Sequence, residues 1–484
     1  MTEVIPMPEL DPLRWKALAV VCVAFFMTVL DVSIVNVALP SIGRSLNFSP
    51  DNLQWVITAY AITFGGFLLL GGRAADLLGR RRVFLVGVVV FTAASFVCGL
   101  AWSEGVLIGA RAVQGFGAAI ISPAALSIVS TTFDEGSERN KALGIWGAMG
   151  GSGAAVGVLA GGVLTKYLGW EWIFYVNVPV GAAAFLLAPR FVRESRSERE
   201  SSPDIACAVS VTSGIALLVY GVSNAPNHGW GSFATIGPIV AAVALLIAFL
   251  VIESRAKDPL MPFSIFRIRT VAGANICSFL LGACTFSSFF ILTLYVQNVL
   301  GYSALKTGLT FAATAVSAVL WAGLAQALVT KIGAKIVLIA GFVAFAAGIA
   351  LYTQVPANGA FVGDLLPGYL LVGFALPFTF IPVSIAALAG VEPHEAGLAS
   401  GLLNTTQQVG GAIGVAIASS ISISHFNNLT HSKPPVPYAQ AFTSGAVWAF
   451  WVMFAFAVAG LIATFVFIRS DELAPTAEPV GAGA

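Results

Sequence analysis

Charged residues are scarce in this chain: Asp, Glu, Lys and Arg make up 10% of its 484 residues, against 58% hydrophobic ones. A water-soluble protein carries about 25% charged residues to keep its surface hydrated, so most of this surface must face lipid. The net charge is +1 and no run of Lys or Arg is long enough to hold a polyanion, so nothing supports a nucleic-acid partner. Only five cysteines occur (Cys22, Cys98, Cys207, Cys277 and Cys284), all within apolar runs where a thiol packs as a small hydrophobe. That placement argues against a disulfide framework. The four histidines (His228, His394, His425 and His431) are assigned to loops or helix ends, too scattered for a metal site. No GxxxxGK[ST] loop is present, which disfavours a fused ATP-driven pump. The apolar stretch from Ala17 to Leu39 is too long for a signal-peptide core and has no small-residue cleavage site after it.

What the chain has in abundance is apolar length. Mean hydropathy is +0.90, and runs long enough to cross a hydrocarbon core of about 30 Å recur throughout. They lie near 16–39, 53–71, 83–101, 105–130, 141–164, 171–190, 204–223, 232–252, 271–296, 304–329, 336–355, 361–390, 396–423 and 442–468. In lipid each backbone polar group must pair within its own segment, so these runs are expected to be helices of an all-α integral membrane protein. With the N-terminus in the cytoplasm, the even-numbered connections hold Arg80, Arg81 and Arg82; Arg139 and Lys141; Arg193, Arg196 and Arg199; Arg255, Lys257, Arg267 and Arg269; and Lys331 with Lys335. The opposite connections hold only Arg44, Lys166, Lys306 and Lys433. This asymmetry obeys the positive-inside rule at every cytoplasmic connection but the one between the twelfth and thirteenth spans, and predicts a multi-pass inner-membrane protein with both termini cytoplasmic.

Two longer linkers, 191–203 and 253–269, flank the seventh and eighth spans. They predict a six-helix bundle over 1–190, an inserted helix pair with cytoplasmic linkers over 191–269, and a second six-helix bundle with a short tail over 270–484. A weak internal echo agrees: Gly72-Arg-Ala-Ala-Asp76-Leu-Leu-Gly79-Arg80-Arg81 follows the second span and Gln326-Ala-Leu-Val-Thr330-Lys-Ile-Gly333-Ala-Lys335 the tenth. Repeated halves with a site between them are a transporter architecture. In the first copy Gly72 and Gly79 allow close approach and a tight turn. Asp76 can pair with Arg80 as a latch that breaks when the halves rock; for Arg81 and Arg82 a purely topological role is the competing reading.

This segment is similar to the signature loop of the major facilitator superfamily. The order of Leu30-Asp31-Val-Ser-Ile-Val-Asn36-Val-Ala-Leu39-Pro40, Trp55-Val-Ile-Thr-Ala-Tyr60, Arg111-Ala-Val-Gln114-Gly115-Phe-Gly117 and Trp170-Glu-Trp172-Ile-Phe-Tyr-Val-Asn177-Val-Pro179 resembles its fourteen-helix drug:proton antiporters, the EmrB/QacA type. Leu294-Tyr-Val-Gln297-Asn-Val-Leu-Gly301-Tyr302-Ser303 and Gly397-Leu-Ala-Ser-Gly401-Leu-Leu-Asn404-Thr-Thr-Gln407-Gln408 extend the likeness, which runs from about Trp15 to about Ile468. Two departures stand out: Val158 follows Gly157 where the family has proline, and Glu171 separates Trp170 from Trp172 where it has arginine. The resemblance implies a proton-driven, non-enzymatic exporter of lipophilic, often cationic small molecules, with no cofactor beyond the proton gradient.

Single residues can be weighed within that frame. A carboxylate inside a spanning helix costs about 2.5–3.5 kcal/mol on insertion scales, so Asp31 is expected to face a partner or a cavity and to exchange a proton. A local structural carboxylate is the bland alternative. Arg111 and Gln114 share a face of the fourth span. The family likeness associates this arginine with proton transfer, and since a guanidinium does not readily release a proton, its expected task is to stabilise a neighbouring carboxylate. Gly153, Gly157 and Gly161 stand four apart, a small-residue stripe that packing alone explains. Candidate cavity residues are Asn36, Tyr60, Phe286, Phe290, Tyr295, Phe378, Asn404, Gln407 and Gln408, because aromatic walls with few polar groups suit lipophilic cations. Competing functions are a facilitator-type transporter of one metabolite, a membrane enzyme and a non-transporting sensor. The expected partners are a small-molecule substrate, protons and the bilayer, with one chain as the working unit.

Overall fold

The computed structural model describes residues 12–133, 137–196, 205–256, 263–391, 396–432 and 434–469. Thirteen helices are long and apolar enough to cross a bilayer, and α5 supplies the fourteenth with 31 residues. In order they are α1 (Arg14–Ser45), α2 (Asp51–Leu78), α3 (Arg80–Gly99), α4 (Glu104–Thr132), α5 (Ser137–Tyr167), α6 (Trp172–Phe191), α7 (Ile205–His228), α8 (Phe233–Arg255), α9 (Arg269–Asn298), α10 (Ala304–Ile332), α11 (Ala334–Tyr352), α12 (Phe361–Ala386), α13 (Ala396–Thr430) and α14 (Tyr438–Phe467). No strand occurs among the described residues. Every expected span is a helix, most of them longer than the apolar run that signalled it. Ser49, Ser103 and Ser303 start the helical segments leading into α2, α4 and α10, each accepting from a backbone N–H three residues on, as N-caps do. One correction concerns His425, which lies inside α13 rather than in a loop and shares a hydrogen bond with Ser444 at 2.9 Å.

The repeat is visible in the packing. In the first half α1 lies along α5, while α2 and α3 flank α4; in the second α9 lies along α13, while α10 and α11 flank α12. The sequence echo marks equivalent turns: Gly79 joins α2 to α3 at φ +105° and Gly333 joins α10 to α11 at φ +87°. L side chains avoid that region of φ, which is why glycine survives at both places although the surrounding residues have diverged.

The halves meet along two seams, α2 against α13 and α5 against α10. At the end of the bundle carrying Pro40 and Ser303 they are tightly joined. Gln297 Nε2 donates to the Val37 carbonyl at 2.8 Å. A Cβ on Gly162 would lie 2.9 Å from the Ala304 carbonyl oxygen, and one on Gly308 would lie 2.7 Å from that of Val158. Toward the other end of α10, Val319 and Leu320 are 69% and 73% exposed, and a Cβ on Gly323 or on Gly144 of α5 would meet no atom within 4 Å. Along this seam the close contacts described lie at the Ser303 end.

The inserted pair packs one helix inside and one outside. α7 lies against both α2 and α13, with Ile215 and Val219 buried among Ala61, Ile62, Ala412 and Ala416. α8 packs mainly on α7 and leaves Val240, Val243, Ile247 and Leu250 exposed, as a helix facing lipid must.

Candidate functional site

Among the described residues, the one intramembrane ion pair joins α1 to α4. Arg111 Nη1 donates to Asp31 Oδ2 at 2.5 Å, and the two residues are 1% and 0% exposed. Two unpaired charges in such a place would each carry a desolvation cost of several kcal/mol, so the surroundings must offset it. They do so with further hydrogen bonds. Arg111 Nη1 also donates to Gln114 Oε1 at 2.6 Å, and Arg111 Nε donates to the Val56 carbonyl at 2.9 Å. The Tyr60 ring lies 4.3 Å from the guanidinium carbon, within range of cation–π attraction. Asp31 Oδ1 accepts from Gln114 Nε2 at 2.8 Å and from Asn177 Nδ2 at 3.0 Å.

Ser95 of α3 fixes the orientation of both amides. Its hydroxyl donates to the Phe174 carbonyl at 2.9 Å and accepts from Gln114 Nε2 at 3.1 Å and Asn177 Nδ2 at 3.0 Å. With the hydroxyl proton committed, both amides must turn their NH2 groups inward, toward the carboxylate. The cluster thus ties α1, α3, α4 and α6 together, with Val56 and Tyr60 adding α2. Ser95 and Asn177 were not among the expected site residues. Asn177 stood in a recognised motif without a role, and a serine in a spanning helix gives little signal because it can bond its own backbone.

The expected latch residues do come together. Arg80 reaches Asp76 Oδ1 through Nη2 at 3.0 Å, Ser127 Oγ lies 3.4 Å from the same oxygen, and Gly72 faces Pro123. All of these contacts stay within the first half. Arg81 and Arg82 have a partner the sequence did not suggest: Glu194, after α6, accepts from their backbone N–H groups at 3.1 and 3.2 Å and caps the start of α3. A Cβ on Gly79 would lie 2.7 Å from that carboxylate. The glycine stripe faces α1: added Cβ atoms at Gly153, Gly157 and Gly161 would meet Val29 at 3.2 Å, the Leu30 carbonyl at 2.7 Å and the Ile34 carbonyl at 2.7 Å.

The candidate cavity set divides. Tyr60 is buried beneath Arg111. Phe290 is buried in a core cluster to which both halves contribute, Tyr295 is buried and donates to the Pro356 carbonyl at 2.6 Å, and Phe378 stacks on Phe374 with ring centroids 4.1 Å apart. In this facing these three serve packing. Asn36, Phe286, Asn404, Gln407 and Gln408 are different. Asn404 is exposed, Phe286, Gln407 and Gln408 are partly exposed, and Asn36 Oδ1 and Gln408 Oε1 are buried amide oxygens without a donor. The five cysteines are buried and none is in a disulfide among the described residues, and no group of three or more His, Cys, Asp or Glu side chains that could hold a metal occurs among them.

Comparison with known proteins adds context. The family model described as "Major Facilitator Superfamily" matches residues 21–415. The chain is 38% identical over 476 residues to a puromycin resistance protein of Streptomyces alboniger, covering 97% of this chain and 94% of that one. It is 40% identical over 410 residues to a cephamycin export protein of Amycolatopsis lactamdurans, covering 84% of each, and 35% identical over 398 residues to a multidrug resistance protein of Mycobacterium tuberculosis, covering 82% of this chain and 73% of that one. Among solved structures, the nucleoside transporter NupG superposes with a TM-score of 0.66 at 13% identity, over 94% of this chain and 100% of that one. A bacterial Spinster homologue in an inward-facing, unoccupied conformation gives 0.64 at 16% identity, over 96% and 100%. At these identities the structures speak to the fold alone.

Proposed function

Because the chain belongs to the major facilitator superfamily, and its relatives include antibiotic resistance and export proteins, we propose that it exports lipophilic, often cationic small molecules in exchange for protons. The observation that carries the proton half of this reading is the buried Asp31–Arg111 pair with its shell of amides. A carboxylate that can be neutralised there alters the balance of forces holding α1 to α3, α4 and α6. Arg111 and Gln114 act as its partners rather than as carriers of the proton.

In this reading the bundles of 1–190 and 270–484 rock about the site between them, and Gly72, Asp76, Gly79 and Arg80 form the latch released or engaged by that motion. With both termini in the cytoplasm, the joined end near Ser303 is extracytoplasmic and the described state opens inward. Asn36, Phe286, Asn404, Gln407 and Gln408 are the side chains proposed to meet substrate, since the donor-free oxygens of Asn36 and Gln408 offer acceptors to a cation. No cofactor is needed, and a single chain is the proposed transport unit.

The test is ethidium export in inverted membrane vesicles with an imposed pH gradient. Export collapsing with an uncoupler, and lost in Asp31→Asn at normal expression, is expected. Export by Asp31→Asn at wild-type rate, or export indifferent to the uncoupler, would remove proton coupling from the account.

A further inference from the structure

We propose that Asn177, held by Ser95, is a positioning residue that keeps Asp31 ionised in this facing, so that a proton can settle on Asp31 only when the α1–α3–α4–α6 cluster opens. The inference rests on the proton-coupled reading above and extends it to two residues outside the Asp31–Arg111–Gln114 set.

Among the described residues each hydrogen-bond partner of Asp31 is a donor: Arg111 Nη1 on Oδ2, and Gln114 Nε2 and Asn177 Nδ2 on Oδ1. A carboxylate uses three such donors well. A neutral carboxyl brings an O–H that needs an acceptor, and the nearby amide oxygen of Gln114 already takes the Arg111 Nη1 proton at 2.6 Å. Rotating either amide to present its oxygen would aim that oxygen at Ser95 Oγ, whose only proton is given to the Phe174 carbonyl at 2.9 Å. The serine could turn to meet that oxygen only by giving up the Phe174 carbonyl, so it opposes the rotation that would accommodate the neutral acid. Asn177 and Ser95 are 1% and 0% exposed, so water is not at hand to make up the loss.

Ionisable neighbours do not supply an alternative. Those facing Asp31 are Arg111 from α4, Tyr60 from α2 and Cys98 from α3. Tyr60 directs its hydroxyl to the Thr28 carbonyl at 3.4 Å, and the Cys98 thiol points to Gln114 Oε1 at 3.6 Å. Among the described residues α5 and α6 contribute no ionisable side chain to the bonds of the cluster; from α6 come the Asn177 amide and the Phe174 carbonyl. Proton uptake and loss of this packed arrangement thereby become one event, which is what coupling requires.

Removing a donor that favours the carboxylate makes proton binding easier, so the midpoint of Asp31 protonation rises. The full chain, reconstituted in lipid without substrate, is titrated by infrared spectroscopy, following the carbonyl band of a protonated carboxyl that is absent in Asp31→Asn. Asn177→Ala and Ser95→Ala are each expected to raise the midpoint by about one pH unit, a tenfold gain in proton affinity worth about 1.4 kcal/mol. Asn177→Gln, which restores the amide, is expected to recover part of the shift. Monodispersity by size exclusion selects folded variants, and Ser95→Ala, the smaller change, serves if Asn177→Ala does not fold. A midpoint unmoved in a folded variant overturns the proposal. Wild-type protein in which no Asp31-dependent band titrates overturns instead the proton-coupled reading beneath it.

Discussion

Arg111→Lys keeps a positive charge on α4 while removing the planar fork, and the structure allows its cost to be worked out. The guanidinium serves three acceptors: the Val56 carbonyl through Nε at 2.9 Å, and Asp31 Oδ2 and Gln114 Oε1 through Nη1 at 2.5 and 2.6 Å. An ammonium placed to serve Asp31 gives up the bond to Val56, worth about 1.5–3 kcal/mol for a charged donor. It also gives up the guanidinium's place 4.3 Å from the Tyr60 ring centroid, a cation–π contact worth about 0.5–2 kcal/mol. Together about 2–5 kcal/mol that favours the closed cluster is lost, and at 1.4 kcal/mol per tenfold this moves its open-to-closed ratio by about 30-fold or more. The cluster should then open without a proton. In proteoliposomes, downhill ethidium flux is expected to persist within a few-fold of wild type, while accumulation driven by a pH gradient falls at least tenfold by the same arithmetic. An unchanged ratio of uphill to downhill transport would refute the need for guanidinium geometry.

Two further substitutions probe the packing. Gly157→Ala places a Cβ 2.7 Å from the Leu30 carbonyl, a backbone atom that cannot swing away, so α1 and α5 must part. A loss of about 1–3 kcal/mol is expected, read as a lower thermal midpoint of the purified protein, whereas Gly144→Ala in the same helix, which meets no atom within 4 Å, should not lower it. Gln297→Leu deletes the 2.8 Å bond to Val37 across the joined end. Since a hydrogen bond contributes about 0.5–1.5 kcal/mol, impermeant maleimide should label a cysteine placed at buried Ala304 about two- to tenfold faster.

How much of this was legible beforehand depends on the kind of signal. Helix number follows from apolar length, because lipid leaves the backbone no other solution, and the Gly79 and Gly333 turns follow from a need for positive φ that the sequence cannot disguise. Asp31, Arg111 and Gln114 were legible because charge and amide are costly in hydrocarbon and so announce themselves. Ser95 and Asn177 were not, since a small polar side chain in a spanning helix has satisfactory local partners and only the tertiary fold reveals that these two look elsewhere. The aromatic candidates failed to separate for the opposite reason. Phe and Tyr are equally at home against lipid, core or ligand, so Phe290, Tyr295 and Phe378 could be assigned to packing only once Phe290 was seen in a core cluster, Tyr295 bonded to Pro356 and Phe378 stacked on Phe374. Glu194 lies 113 residues from the Arg81 backbone that it caps, a separation no local pattern reports.

The inserted helices pose a mechanical question that their contacts answer unevenly. α7 touches both halves, yet its polar ties favour the first: Ser223 accepts from Gln54 Nε2 at 2.8 Å, Asn227 bonds to Asp51, and Thr212 sits so close to Gly66 that a Cβ there would lie 2.9 Å from the threonine Cβ. Toward the second half, among the described residues, the tie is a single bond from Ser420 Oγ to the Val222 carbonyl at 2.9 Å. A rocking motion breaks the weaker seam first, so we predict that the pair travels with α2 and that α13 slides past α7. A disulfide between cysteines at Gly66 and Thr212, whose Cβ atoms must part from 2.9 Å to the roughly 3.5–4.5 Å that a disulfide spans, should leave ethidium export intact under oxidising conditions. One between Val222 and Ser420 should arrest export until reductant is added. If the first cross-link arrests transport and the second does not, the pair belongs to the second half. If both arrest it, α7 is a hinge that must slip against each half in every cycle.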